Sequence, residues 1–179
     1  MIRTSRFEIT AIEDAIKRIS EHIDRDVDVY LIGGGAMIFY GRKAATKDID
    51  TVLTSQQELE AFMKAAEKAG FAQVPEPGEE YQSIGASTIM QDATGLRLDI
   101  FHRIVCYALE LTNAMKSRAT THSEHGFLRV HLIAPEDIVL FKRITERETD
   151  LEDIRVLVEG GIDWAIVEEE CLSQSNSGQ

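Results

Sequence analysis

The chain has 179 residues, 44% of them hydrophobic, enough for one sizeable core and too few for two domains of ordinary size. With 31 acidic against 19 basic side chains the net charge is −12, which argues against non-specific binding to long nucleic acid through phosphate neutralisation. Two cysteines, Cys106 and Cys171, without a C-x-x-C spacing exclude a disulfide framework; with no hydrophobic leader and no apolar run of spanning length, a cytoplasmic protein away from membranes is expected.

Ile9, Ile12, Ile16, Ile19 and Ile23 recur at steps of three and four, which predicts a first helix with one apolar stripe. Val27 to Ile32 reads as a strand running into Gly33-Gly34-Gly35, with a short helix over Ala36 to Tyr40. Asp48 to Leu53 is a second strand. Leu59, Phe62, Met63 and Ala66 mark the buried face of a helix that Gly70 ends, and Pro75 to Glu80 is a loop. Ser87 to Gln91 and Leu96 to His102 are strands joined by a turn over Asp92-Ala-Thr-Gly95, and Phe127 to Ile133 is another strand. From Pro135 onward the pattern is helical, with two or three short helices through Leu140, Ile154, Leu157 and Trp164; Asp163 caps the last, and Trp164 is expected in the core. A single domain over 1–172, helical from about 135, with a frayed polar tail over 173–179, is the expected organisation.

Two aspartates in an otherwise apolar strand need a reason, since strands disfavour them. Residues two apart share a strand face, so Asp48 and Asp50 hold their carboxylates side by side, costly unless a cation sits between them. Asp99 is again an acid in an apolar strand, Leu96-Arg-Leu-Asp-Ile-Phe101. If the two strands are neighbours, three carboxylates converge and could hold two metals about 3.5–4 Å apart for an in-line displacement at phosphorus. Hard cations such as Mg²⁺ or Mn²⁺ suit such oxygen donors, and a glycine turn before a helix offers backbone N–H groups to a triphosphate. Arg42, Lys43 and Lys47 form a basic cluster beside the proposed site.

The order strand, Gly-Gly-Gly-Ala, short helix, Arg42…Thr46-Lys-Asp-Ile-Asp50, later Asp99 and a helical C-terminal third resembles the nucleotidyltransferase superfamily of the DNA polymerase beta type over roughly residues 25–160. Within it the sequence is most similar to small prokaryotic proteins related to the AbiEii toxins. The resemblance implies an α/β (α+β) fold, a mixed β-sheet flanked by helices, and transfer of a nucleoside monophosphate from an NTP to a hydroxyl with a divalent metal. It implies Asp48 and Asp50 as metal ligands, Asp99 as a third ligand or the base, and Gly33, Gly34 and Gly35 as triphosphate contacts, with Arg42 and Lys47 near the nucleotide. Lys142 and Asp150 match a lysine and an aspartate that AbiEii-like proteins carry on their C-terminal helices, which implies a catalytic, triphosphate-binding Lys142 and a nucleotide-binding Asp150, with Asp153 one turn later. Many superfamily members have Gly-Ser in the turn; here Gly35 stands at the serine's place, a form that AbiEii-like members resemble.

His122-Ser-Glu-His125 reads as a loop without further ligands, so no zinc site is expected, and His102 reads as structural. Two classes follow. One is an enzyme acting on an RNA 3′ end, a protein side chain or a small molecule, with a cognate toxin or antitoxin as a partner; the other is an inactive module of the same fold that binds nucleotide or protein.

Overall fold

Apolar stripes and alternating strands build one mixed sheet carrying helices. The computed structural model describes residues 6–75, 85–145 and 147–176, beginning with α1 (Ile9–Ser20), whose Ile12, Ile16 and Ile19 are buried. β1 (Val27–Ile32) passes directly into α2 (Gly33–Phe39), and β2 (Asp48–Leu53) precedes α3 (Gln56–Lys68). There follow β3 (Ala72–Gln73), β4 (Thr88–Gln91), β5 (Arg97–His102) and a small hairpin of β6 (Ile104–Val105) and β7 (Leu109–Glu110). After α4 (Asn113–Arg118) come β8 (Thr120–His125) and β9 (Leu128–Leu132), then α5 (Pro135–Thr145), α6 (Glu148–Glu159) and α7 (Trp164–Asn176).

Seven strands form the main sheet in the order β3-β4-β5-β2-β1-β9-β8. β2 runs parallel to β5 and β1 parallel to β9, while the remaining neighbours are antiparallel, so the expected mixed sheet is the one observed. Alternation along β2 buries Ile49, Thr51 and Leu53 and turns Asp48 and Asp50 to the opposite face. α1 packs on α3, which lies against β1 and β2, and α5 is the hub of the helical part, touching α2, α6 and α7. At the edges, β3 has two residues and β8 carries a register shift between Thr121 and Ser123.

Local chemistry explains the boundaries. Ser55 Oγ accepts the Glu58 N–H at 3.2 Å while the Glu58 carboxylate accepts the Ser55 N–H at 3.1 Å, a reciprocal cap that starts α3. Gly70, with φ +94°, ends it. Asp92 organises the β4–β5 turn by accepting the N–H groups of Thr94 (2.9 Å) and Leu96 (3.2 Å), and Arg18 of α1 holds its other oxygen at 2.7 Å.

Several expectations need correction. α2 begins at Gly33 rather than Ala36, so the three glycines are its first turn and not a loop before it. The 122–125 stretch is strand β8, not a loop, because it pairs with β9, and the His122 ring packs tilted against Phe39 with centroids 4.2 Å apart. Trp164 is 56% exposed and outside the core, since it stands on the first turn of α7, where Asp163 Oδ1 accepts the Ala165 N–H at 3.0 Å as a cap. α7 continues to Asn176, past the point at which a frayed tail is expected, and 177–179 lie outside the described residues, as does the predicted loop beyond Pro75. The hairpin β6–β7 and α4 are too short to carry a legible period. Among the described residues no helix is long and apolar enough to cross a membrane.

The parallel β1–β9 pair is clamped by Asp28, which accepts from Arg129 Nε at 2.8 Å and Nη2 at 2.9 Å and lies 2.7 Å from His131 Nε2. The Arg129 hydrogen bond, against the opposing effect of burial and helped by His131, holds the Asp28 carboxyl down at about 2, below its usual 3.8. A depressed carboxyl stabilises the fold fully above its unfolded value and loses that contribution as pH falls through the folded value. Asp28→Asn is therefore expected to cost about 1 kcal/mol at neutral pH, an amount discounted for partial exposure. In urea melts the gap between wild type and variant should close as pH falls from 3.8 to about 2.

Candidate active site

The site grows from the register of two parallel strands. Asp48 lies opposite Arg97 and Asp50 opposite Asp99, so the four side chains share one face of β2 and β5. β1 adds Ile32 beside Asp50, and the chain turns there into Gly33, which has φ +56°. A Cβ at Gly33 would overlap Asp50 Oδ2, so only glycine lets the backbone pass this close to the carboxylate. Asp48, Asp50, Asp99 and Gly33 line one cleft, with Phe101, Val105 and Cys106 on the same wall.

Electrostatics match the crowding. Burial first, and then the charges of Asp48 and Asp99, push the Asp50 carboxyl well above its ordinary range. Burial and Asp48 raise Asp99 to about 6 even though Arg97 pulls it down. Arg97 Nη2 donates to both oxygens of Asp99, at 2.8 and 2.9 Å. Hard oxygen donors with an excess of negative charge suit a hard divalent cation. Among the described residues, no three His, Cys, Asp or Glu side chains close on a common point as a complete ligand set.

The far wall comes from the C-terminal helices. Lys142, 8% exposed on α5, donates to Asp150 at 2.8 Å and contacts Asp153 at 2.7 Å. Arg147 Nε reaches the other Asp150 oxygen at 2.6 Å, which Thr145 Oγ1 also contacts, and Lys43 Nζ meets Asp153 at 2.6 Å. Burial works against the Lys142 charge, but Asp153 and Asp150 outweigh it and raise its pKa. Lys142, Thr145, Arg147 and Asp150 all face the cleft that holds the aspartates of the sheet.

Other candidates lie elsewhere. Arg42 donates to the Gly160 carbonyl at 3.1 Å, at the end of α6, and neither it nor exposed Lys47 lines the cleft. Gly34 and Gly35 are buried in the first turn of α2; a Cβ on Gly34 would come within 2.6 Å of Thr46 Oγ1, and one on Gly35 no nearer than 3.9 Å to Ile49. The buried Thr46 hydroxyl beside this turn donates to Asp48 Oδ1 at 3.5 Å. Arg147 went unrecognised in the sequence, where its i,i+3 spacing from Asp150 is the legible signal; Phe101, Val105 and Cys106 carried none.

The family of nucleotidyltransferases of unknown function DUF6036 matches residues 8–177. The chain belongs to this nucleotidyltransferase family. Its fold is similar to that of ANT(2")-Ia, solved in complex with adenylyl-2"-tobramycin, with a TM-score of 0.59 at 13% identity over 96% of this chain and 98% of that one. It is also similar to the lincosamide antibiotic adenylyltransferase LnuA, solved with lincomycin bound, with a TM-score of 0.52 at 18% identity over 83% and 93% of the two chains. A Thermotoga maritima protein titled a nucleotidyltransferase gives 0.56 at 10% identity over 88% and 99%. No curated protein matches the sequence. The likeness to AbiEii-like proteins rests on the sequence motifs alone.

Two predictions follow from contacts at the cleft. Gly33→Ala should lower stability by about 1–2 kcal/mol through its left-handed backbone alone, whereas Gly35→Ala should stay within about 0.5 kcal/mol, as read by thermal melts. Lys142→Ala removes the cation that Asp150 and Asp153 share but leaves them Arg147 and Lys43, so it should cost about 1–3 kcal/mol, while Lys64→Ala on the exposed side of α3 leaves the melt unchanged.

Proposed function

We propose that the protein transfers a nucleoside monophosphate from an NTP to a hydroxyl acceptor, with a divalent ion, Mg²⁺ or Mn²⁺, held by Asp48 and Asp50. The observation that carries this is the in-register Asp50–Asp99 pair beside Asp48, in one cleft with Gly33, Lys142 and Arg147. A divalent cation bound there supplies positive charge against the carboxylates and the triphosphate. Gly33 brings backbone within reach of a phosphate, and among the described residues no side chain caps α2. Lys142 and Arg147 offer charge to the leaving pyrophosphate, while Asp150 and Asp153 anchor them rather than contact nucleotide directly. Asp99 accepts the proton of the acceptor hydroxyl, whose oxygen bonds to the α-phosphorus as the bond to the β-phosphate oxygen breaks and pyrophosphate leaves.

The acceptor class includes small hydroxylated molecules, as the adenylyl-2"-tobramycin of ANT(2")-Ia suggests by fold analogy, together with RNA 3′ ends and protein side chains. A toxin–antitoxin setting rests on the AbiEii resemblance. The alternative, an inactive module of the same fold that binds nucleotide or protein, draws its support from the glycine at the serine's place and from the net charge of −12.

The test is incubation with each α-³²P-labelled NTP, Mg²⁺ or Mn²⁺, and tRNA, cell lysate or an aminoglycoside, followed by gel or thin-layer separation. Label should move to one acceptor class, and Asp48→Asn and Asp50→Asn should each abolish the transfer while leaving the apo protein at least as stable, because like-charge repulsion is relieved. NTP and Mg²⁺ together should raise the melting temperature more than the sum of either alone. A flat thermal response to all four NTPs with either metal overturns the nucleotide site.

A further inference from the structure

Arg97 is the one basic residue that register places among the strand carboxylates. It sits across from Asp48 and one step from Asp99 on the same face, is 14% exposed on its side chain, and engages both oxygens of a carboxylate that is 1% exposed. A guanidinium keeps its proton at any physiological pH, so this charge stays in the site permanently. It already engages both oxygens of the third carboxylate, which a second divalent ion would need as a ligand.

Electrostatics points the same way. A second ion against Asp99 would meet the guanidinium at close range and be repelled by it. On the opposite wall Lys43, Lys142 and Arg147 meet Asp150 and Asp153, and the charges of Lys142 and Arg147 also act on Asp50.

We infer that Arg97 stands in for the second cation, so that the protein uses one divalent ion on Asp48 and Asp50 and keeps Asp99 as an unligated carboxylate. The inference rests on the proposed function and refines it from a two-metal to a one-metal site. Arg97 is a positioning residue: it holds Asp99 toward the acceptor side of the cleft and bars an ion from it.

The experiment counts Mn²⁺ bound per chain, by equilibrium dialysis and electron paramagnetic resonance, on the full-length protein with a non-hydrolysable NTP analogue. Wild type should bind one ion with the spectrum of an isolated Mn²⁺, and Asp99→Asn should keep one ion with an affinity within about threefold. Arg97→Gln, checked for folding by circular dichroism, should bind two. Two ions in wild type with a spin-coupled spectrum overturn the inference but leave the proposed function standing. No bound ion overturns both. A folded Arg97→Gln that still binds one ion, or a loss of that ion in Asp99→Asn, removes the role assigned to Arg97.

Discussion

The like-charge contact of Asp50 with Asp99 across β2 and β5 is the constraint around which the molecule is arranged. Two carboxylates held together in a partly buried cleft repel each other and resist ionisation, and nothing in the local backbone favours them there. What holds them is the other face of the same strands. Ile49, Leu98 and Ile100 are buried on it, and Thr51 Oγ1 donates to the Asp99 carbonyl at 3.2 Å. A slip of one residue would turn these apolar groups into the cleft and the acids into the core, so packing sets a register that electrostatics alone would reject.

The helical part answers the sheet's charge with charge of its own. α5 carries Lys142 to the cleft, and α6 returns Asp150 and Asp153 to fix it, with Lys43 reaching Asp153 from the segment before β2. α5 is itself held from behind: Arg118 of α4 donates to Asp137 at 2.7 Å and to Glu170 of α7 at 2.6 Å, and both acids are buried. Buried ions of this kind contribute little net stability, but each demands one geometry of its partners. They thereby fix how α4, α5 and α7 sit together, and so where Lys142 points.

Most of this sheet was legible from sequence because its strands bury one face and alternate cleanly, and Asp48, Asp50 and Asp99 stood out by breaking the apolar pattern. Gly70, Asp163 and the Asp92 turn were legible for the same kind of reason, since each has a local chemical role. What could not be read depends on contacts distant in the chain. β8 is polar on nearly every position and becomes a strand only because β9 pairs with it. Trp164 looked like core because of its size, yet its place at the start of α7 leaves it exposed. Arg42 looked like a phosphate ligand from its neighbours, whereas its guanidinium meets the end of α6, 118 positions away. Alternation puts Arg97 on the face of Asp99, but only the neighbouring strand, with Asp48 opposite it, shows what that face holds.

The two rims of the main sheet bear on how this protein meets other molecules. A strand of two residues closes one side, and on the other β8 is kinked by its register shift and carries Thr, His, Ser and Glu along its length. Short, bulged and polar margins are poor templates for the backbone of a foreign chain. Along the described edges, pairing of an extended foreign peptide as an extra strand is therefore disfavoured.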